Sequence, residues 1–251
     1  MVTATALPRL RWRFALCLVA ALAALPVNAR TLIRDAEIEA TLARLASPIY
    51  RAAGIAPGSI RMLIMLDSAL NAFVFGGRSM VLYTGLIQRF ERPEPLIGVI
   101  AHETGHITGG HIARRSVAAR QMTGPALIAS IVAAAAAAAA GSGQGAAAAL
   151  IGGQDALRRS MLAYSRAEES AADQAALSYM ARAGVDPQGM LDVLRLFQGQ
   201  EVFQASRLDP YAQSHPLSAQ RISLLERRVA ASPARGAKLD PARSASLTDL
   251  A

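Results

Sequence analysis

The sequence predicts a mostly helical α+β fold in which a small antiparallel β-sheet packs on one histidine-bearing helix. Three observations carry this. Apolar residues recur at helical spacing over residues 32–53 and again from Pro95 onward. Between them lie three short runs rich in strand-favouring residues. The second helical stretch carries His102-Glu103-Thr104-Gly105-His106, and with His111 it holds three of the chain's four histidines.

The elements follow in order. MVTATALPRLRWR, with Arg9, Arg11 and Arg13, precedes the apolar run FALCLVAALAALP and then Val27-Asn28-Ala29. A basic start, an apolar stretch and a small-residue site are the marks of a secretory signal peptide, so residues 1–29 are expected to be removed. Cys17 is the chain's one cysteine and lies inside that apolar run, so the mature chain needs no disulfide. The formal charge is +8, and losing three arginines leaves +5, an ordinary surface charge. No basic run is interleaved with aromatics, so nucleic acid is not an expected partner.

Residues 32–53 read as a helix bent at Pro48 and ended by Gly54. IRMLIML (60–66), NAFVF (71–75) and SMVLYTGLI (79–87) read as strands of an antiparallel sheet. LIGVIAHETGHITGGHIARRSV reads as one long helix. Residues 123–153 are Ala/Gly-rich and read as a helical hairpin or flap near the active-site cleft, with peripheral contact to a membrane or an unfolded client, or a membrane span, as the alternatives. Helices are expected at 154–182, from Asp186-Pro187 to Gln200, and over LSAQRISLLERRVA. A loop around Asp209-Pro210 and Ser214-His215-Pro216 separates the last two, and a disordered tail covers 232–251.

Residues four apart share one helix face, so His102 and His106 present two imidazoles to a single metal ion. Glu103 is displaced along the same side and reaches a water at that ion. This is the logic of an HExxH zinc peptidase: two ligands and a general base. The expected cofactor is one Zn²⁺ per chain. A third histidine spaced as in HExxHxxGxxH would fall at position 112, which is Ile112. On a continuous helix His111 points away from His102, so it is assigned a supporting role and no direct ligation. Downstream, in YSRAEESAAD, Glu169 and Asp173 lie four apart. Glu169 is a candidate third ligand, with Glu168 as its competitor. Asp173 is a candidate to hold the free ring nitrogen of a ligand histidine.

With these motifs in order, the sequence resembles the HtpX, Oma and CAAX-prenyl-protease group of zinc metallopeptidases, and its small periplasmic branch that includes BepA and LoiP. NAFVFGGRSMVLYTGLI resembles the family's Asn-Ala-Phe…Gly-Gly…Thr-Gly-Leu stretch, AHETGH its zinc motif, SRAEESAAD its SRxxExxAD element and SHPLSAQRI its HPxxxxRI element. The resemblance covers roughly residues 33–230. It implies a zincin-like metallopeptidase domain, here residues 30–231, with His102, His106 and Glu169 as metal ligands. It also places His215 near the metal, as an oxyanion stabiliser or as an occupant of the open coordination site. Arg221 would orient His215 or anchor Asp173, and Asn71, Ala72 and Phe73 would form a substrate edge strand. Gly110 stands where relatives often carry a basic residue, and no tetratricopeptide repeat follows the peptidase-like stretch.

The expected function is periplasmic endoproteolysis of misfolded or stalled envelope and outer-membrane proteins. Expected partners are unfolded or misassembled proteins, together with outer-membrane assembly machinery or a membrane surface to which the protein is peripheral. The rival is a chaperone-like client-binding protein with a latent metal site. A multi-span prenyl-protein protease would need several membrane spans, which the sequence does not supply.

Overall fold

The computed structural model describes residues 31–203 and 215–240. The expected signal peptide, the Asp209-Pro210 loop and the end of the tail lie outside the described residues.

A short strand, β1 (Thr31–Ile33), precedes helix α1 (Ala36–Ala52). The helix opens on Asp35, whose carboxylate accepts from the amides of Glu37 and Ile38. It carries Pro48 inside and stops before Gly54 at φ +72°. Strands β2 (Arg61–Leu66), β3 (Ala72–Phe75) and β4 (Ser79–Tyr83) follow, then one helical turn, α2 (Thr84–Ile87). The rest is helical: α3 (Pro93–Thr108), α4 (His111–Ala139), α5 (Gly143–Arg182), α6 (Gln188–Phe203) and α7 (Ala219–Ala230).

The sheet order is β1-β2-β4-β3, and it corrects the expected all-antiparallel arrangement. β3 and β4 form the expected antiparallel hairpin through Gly76 and Gly77, both at positive φ. β2 instead pairs with β4 in parallel, Met65 opposite Tyr83. The reason lies just past β2. Thr84 Oγ1 bonds the Asp67 amide and carbonyl at 3.1 and 3.0 Å, tying the ends of β2 and β4 side by side. The chain must then cross over before running back as β3 along β4's far edge. The same lock stops β4 at Tyr83, short of the expected Ile87. Gly85 lies against the Ser68 and Ala69 carbonyls, where a β-carbon would overlap the backbone.

The expected single helix through the histidines is two. Gly110 takes a left-handed conformation, φ +61°, ends α3 and redirects the chain into α4. α4 and α5 form a helical hairpin whose second arm begins at Gly143, earlier than the expected 154. Residues 232–240, expected in the disordered tail, form turns and place Ala234 and Leu239 in apolar surroundings, Leu239 against the main core.

The core is built around α3, which is buried from Pro93 to His106 except at Glu94. Leu42, Leu45 and Ile49 of α1, Met80 and Leu82 of β4, Leu191, Leu194 and Phe197 of α6 and Leu225 of α7 belong to the same cluster. Gly98 permits the α6 contact, since a β-carbon there would come within 2.9 Å of the Met190 backbone.

Two glycine substitutions should separate packing from propensity. Gly85→Ala must displace backbone and should cost about 1–3 kcal/mol by urea denaturation. Gly152→Ala lies in a helix with open space around it and should gain roughly 0.5–1 kcal/mol.

Candidate metal centre

Two helices supply the centre. α3 carries His102, Glu103 and His106, and α5 carries Glu169 and Asp173. They meet at Gly105, where a β-carbon would sit 2.8 Å from the Ala172 carbonyl oxygen. Absence of a side chain there lets the helices close until the acidic face of α5 reaches the imidazoles. The remaining groups come from the ends of other elements: His215 just before α7, Arg221 in its first turn and Ala72 at the start of β3.

His102 Nε2 and His106 Nε2 are 3.1 Å apart. Glu169 spans both, with Oε2 3.3 Å from His102 Nε2 and Oε1 3.3 Å from His106 Nε2. His215 Nδ1 lies 3.2 Å from His102 Nε2 and 3.1 Å from Glu169 Oε2. All four residues are buried, and their ligand atoms lie within 4.8 Å of one another. Four ligands about 2.0–2.1 Å from a tetrahedral zinc stand about 3.3 Å from each other. The five spacings among these groups, 3.1–3.3 Å, are close to that separation.

The surroundings fit a cation as well. Glu103 is fully buried, and neither of its carboxylate oxygens has a hydrogen-bond partner among the described residues. His215 Nε2 lies 3.3 Å from its Oε1. Glu103, Glu169 and Asp173 bring three carboxylates to a buried cluster in which Arg221 is the guanidinium. By formal charge, a dication would balance them. Leaving such groups unpaired in an apolar interior is costly.

The supporting contacts fix ring orientation. Asp173 Oδ1 is 3.0 Å from His102 Nδ1, which turns His102 Nε2 toward the centre. Arg221 donates to both Asp173 oxygens, at 2.5 and 2.8 Å, and its Nη1 lies 3.0 Å from Glu169 Oε2. His111 lies beside His106, with their Nδ1 atoms 2.8 Å apart. The expectation that His111 points away assumed a continuous helix. The turn at Gly110 brings it back, and its ring fills the space where a Gly109 side chain would be. Glu168, the competitor of Glu169, turns away to accept from Arg115 Nε and Nη2 at 3.0 and 2.8 Å.

Electrostatics follow from these contacts. Burial pushes His102 down, but hydrogen bonds to Asp173 and Glu169 and their charges carry it up to about 9. Burial lowers His106 despite its Glu169 contact. Burial, with His106 and Arg114 nearby, brings His111 down to about 4. Burial opposes ionisation of Glu169, but the charge on His215 and hydrogen bonds from the three histidines hold it well below the usual carboxylate range. Asp173 is likewise lowered against its burial, chiefly by Arg221.

Asn71, just before β3, and Ala72 are buried and Phe73 is half-buried, and β3 forms the outer edge of the sheet. The Ala72 carbonyl lies 3.3 Å from His215 Nε2, so this edge runs into the centre. Sequence reasoning missed three contributors: Gly105, the Gly109-Gly110 corner and Arg115. A Gly-Gly pair inside a helical pattern is a breaker signal that could have placed the corner. Nothing in the local pattern marks Arg115.

Comparison with known proteins agrees with this geometry. Residues 32–229 match peptidase family M48. The beta-barrel assembly-enhancing protease of Escherichia coli K12 is 28% identical over 161 residues, 62% of this chain and 32% of that protein. The protein of that name from Yersinia pestis is 26% identical over 157 residues, again 62% and 32%. The chain thus spans about a third of the length of these curated relatives. The family match runs from β1, through both ligand-bearing helices and past Arg221, so the chain belongs to peptidase family M48 and with it to the metal-dependent proteases.

Proposed function

We propose that the protein is a zinc endopeptidase of the periplasm that cleaves misfolded or stalled envelope and outer-membrane proteins. The observation that carries the chemistry is the buried cluster of His102, His106 and Glu169 beside a buried Glu103 with no hydrogen-bond partner among the described residues. The relatives' name, a protease enhancing β-barrel assembly, supports the substrate class. The secretory character of residues 1–29 supports the compartment.

His102, His106 and Glu169 would hold the ion. Zinc, when bound, supplies a Lewis acid that polarises a peptide carbonyl and makes a nearby water more acidic. Every other part belongs to the chain. Glu103 takes the attacking water's proton on a carboxylate oxygen and returns it to the departing amine. Asp173 holds His102 Nδ1, and Arg221 braces Asp173 and Glu169 together. An extended substrate strand adds along β3 at Asn71, Ala72 and Phe73, its main chain pairing with the sheet edge.

His215 Nδ1 lies beside His102 Nε2 and Glu169 Oε2 and would fill the position that a catalytic site leaves open. With an ion held there, this arrangement would be a closed, resting one, and His215 would have to withdraw for water to enter. Once withdrawn, its imidazole is placed to steady the oxyanion. The position of His215 also favours a second reading, a client-binding protein whose metal site stays latent.

Native mass spectrometry should find one zinc per chain, and Glu169→Ala should lose it or bind it far more weakly. Asp173→Asn should keep the fold and lower zinc affinity about 10–100-fold. Glu103→Gln should retain zinc and lose cleavage of an unfolded protein by roughly 10²–10⁴-fold. A variant that instead keeps its full cellular activity would favour client binding over proteolysis. His215→Ala should raise cleavage if His215 acts as a latch and lower it if it acts on the oxyanion. Unchanged activity together with unchanged zinc affinity would remove His215 from the site.

A further inference from the structure

The α4–α5 hairpin leaves a large apolar surface uncovered. Leu127, Ile128, Ile131 and Val132 on α4 and Leu150 and Ile151 on α5 are all exposed, Ile128 to 65% and Ile151 to 67%. α4 is long and apolar enough to cross a membrane, yet little of that stretch is buried within the protein. From Gln121 to Gln154 there is no charged residue. The apolar face therefore does not serve the core described above.

The register of the two arms shows where charge begins. Arg115 bonds Glu168 at the base. Ser130 meets Gly153 farther out, where a β-carbon on Gly153 would lie 2.5 Å from Ser130 Cβ. The chain reverses at Gly141, φ +79°, with Ser142 capping α5. In this register Asp155, ion-paired with Arg159, stands level with Ile128. Everything beyond that level, residues 129–154, is uncharged. At 1.5 Å per residue this distal part is about 19 Å long. The hydrocarbon of one leaflet is about 15 Å deep, half of a core of roughly 30 Å.

Charge lies behind it. Arg114, Arg115, Arg120, Arg158, Arg159 and Arg166 occupy the basal part of the two arms, against Asp155 and the buried Glu168. Arginines on long stems at an apolar boundary reach for phosphate. A second copy packed in parallel along the same face would bring two such basic collars together, which like-charge repulsion opposes.

The geometry points to this hairpin as a monotopic membrane anchor, inserted by its apolar end into one leaflet of an anionic bilayer with the arginines at headgroup level. α3 leads directly into it and α5, which carries Glu169, is its second arm, so the candidate centre would be held close to the membrane surface. The inference does not depend on proteolysis, and a Glu103→Gln chain should behave identically.

The test is depth-resolved quenching. Ile131→Trp is made in the full chain and mixed with vesicles whose acyl chains carry bromine, with and without phosphatidylglycerol. The parent, whose one tryptophan is Trp12, supplies the baseline for binding through the N-terminal segment. Ile151→Trp on the other arm gives a second reading should the first label disturb the fold. The added indoles should be quenched by the bromines, more strongly with phosphatidylglycerol. Adding Ile128→Asp and Val132→Asp, both at exposed positions, should remove that quenching with the helical circular dichroism intact. Chains that sediment with vesicles while the added indoles stay unquenched would overturn the proposal, as would no vesicle binding at all. Unquenched indoles together with a dimer that Ile128→Asp and Val132→Asp abolish would assign the face to a second copy.

Discussion

The centre depends on how closely two helices approach. At Gly105 the surface of α3 is bare, and the Ala172 backbone of α5 fills the gap. Move α5 outward by the width of a methyl group and Glu169 no longer spans both imidazoles, while Asp173 no longer reaches His102. The tolerance is tight because the ligand atoms are only 3.1–3.3 Å apart, and interiors packed to this density transmit strain rather than absorb it. Gly98 has the same role about two turns earlier, against α6. The helix that bears the chemistry is thus seated by its two missing side chains as much as by its apolar ones.

A second layer holds polar groups where apolar packing cannot. Burial penalises each carboxylate, and each is answered by a partner from another region of the chain: Asp173 by Arg221, Glu168 by Arg115, Glu169 by the histidines and Arg221. Such networks stabilise only when complete, and half-satisfied ones are worse than apolar packing. Glu103 is the exception, buried with no hydrogen-bond partner among the described residues. A group left in that state marks where the structure spends stability on chemistry.

Much of this is legible in the sequence because it is local. The i,i+4 spacing of His102 and His106 and the same spacing of Glu169 and Asp173 put each pair on one helix face whatever the tertiary fold. The helices α1, α3, α6 and α7 follow from apolar period and caps. What is not legible depends on distant partners. The parallel pairing of β2 with β4 depends on Thr84 reaching Asp67, and strand propensity says nothing of direction. One local feature is legible but overridden: the apolar period runs on through Gly109-Gly110 and puts His111 on the wrong side, while the glycine pair itself marks the corner. Choosing Glu169 over Glu168 needs the resemblance, since period alone allows either, and the structure shows Glu168 engaged by Arg115.

The centre also has an unusual spectroscopic standing. The chain has four histidines, and all four are in it, each ring centroid within 4.7–5.2 Å of a neighbour. No imidazole lies anywhere else on the surface or in the core. Every histidine resonance in a labelled sample, and every adduct of an imidazole-directed reagent, therefore originates in this one cluster of rings, and the protein's histidine spectrum is the spectrum of its centre.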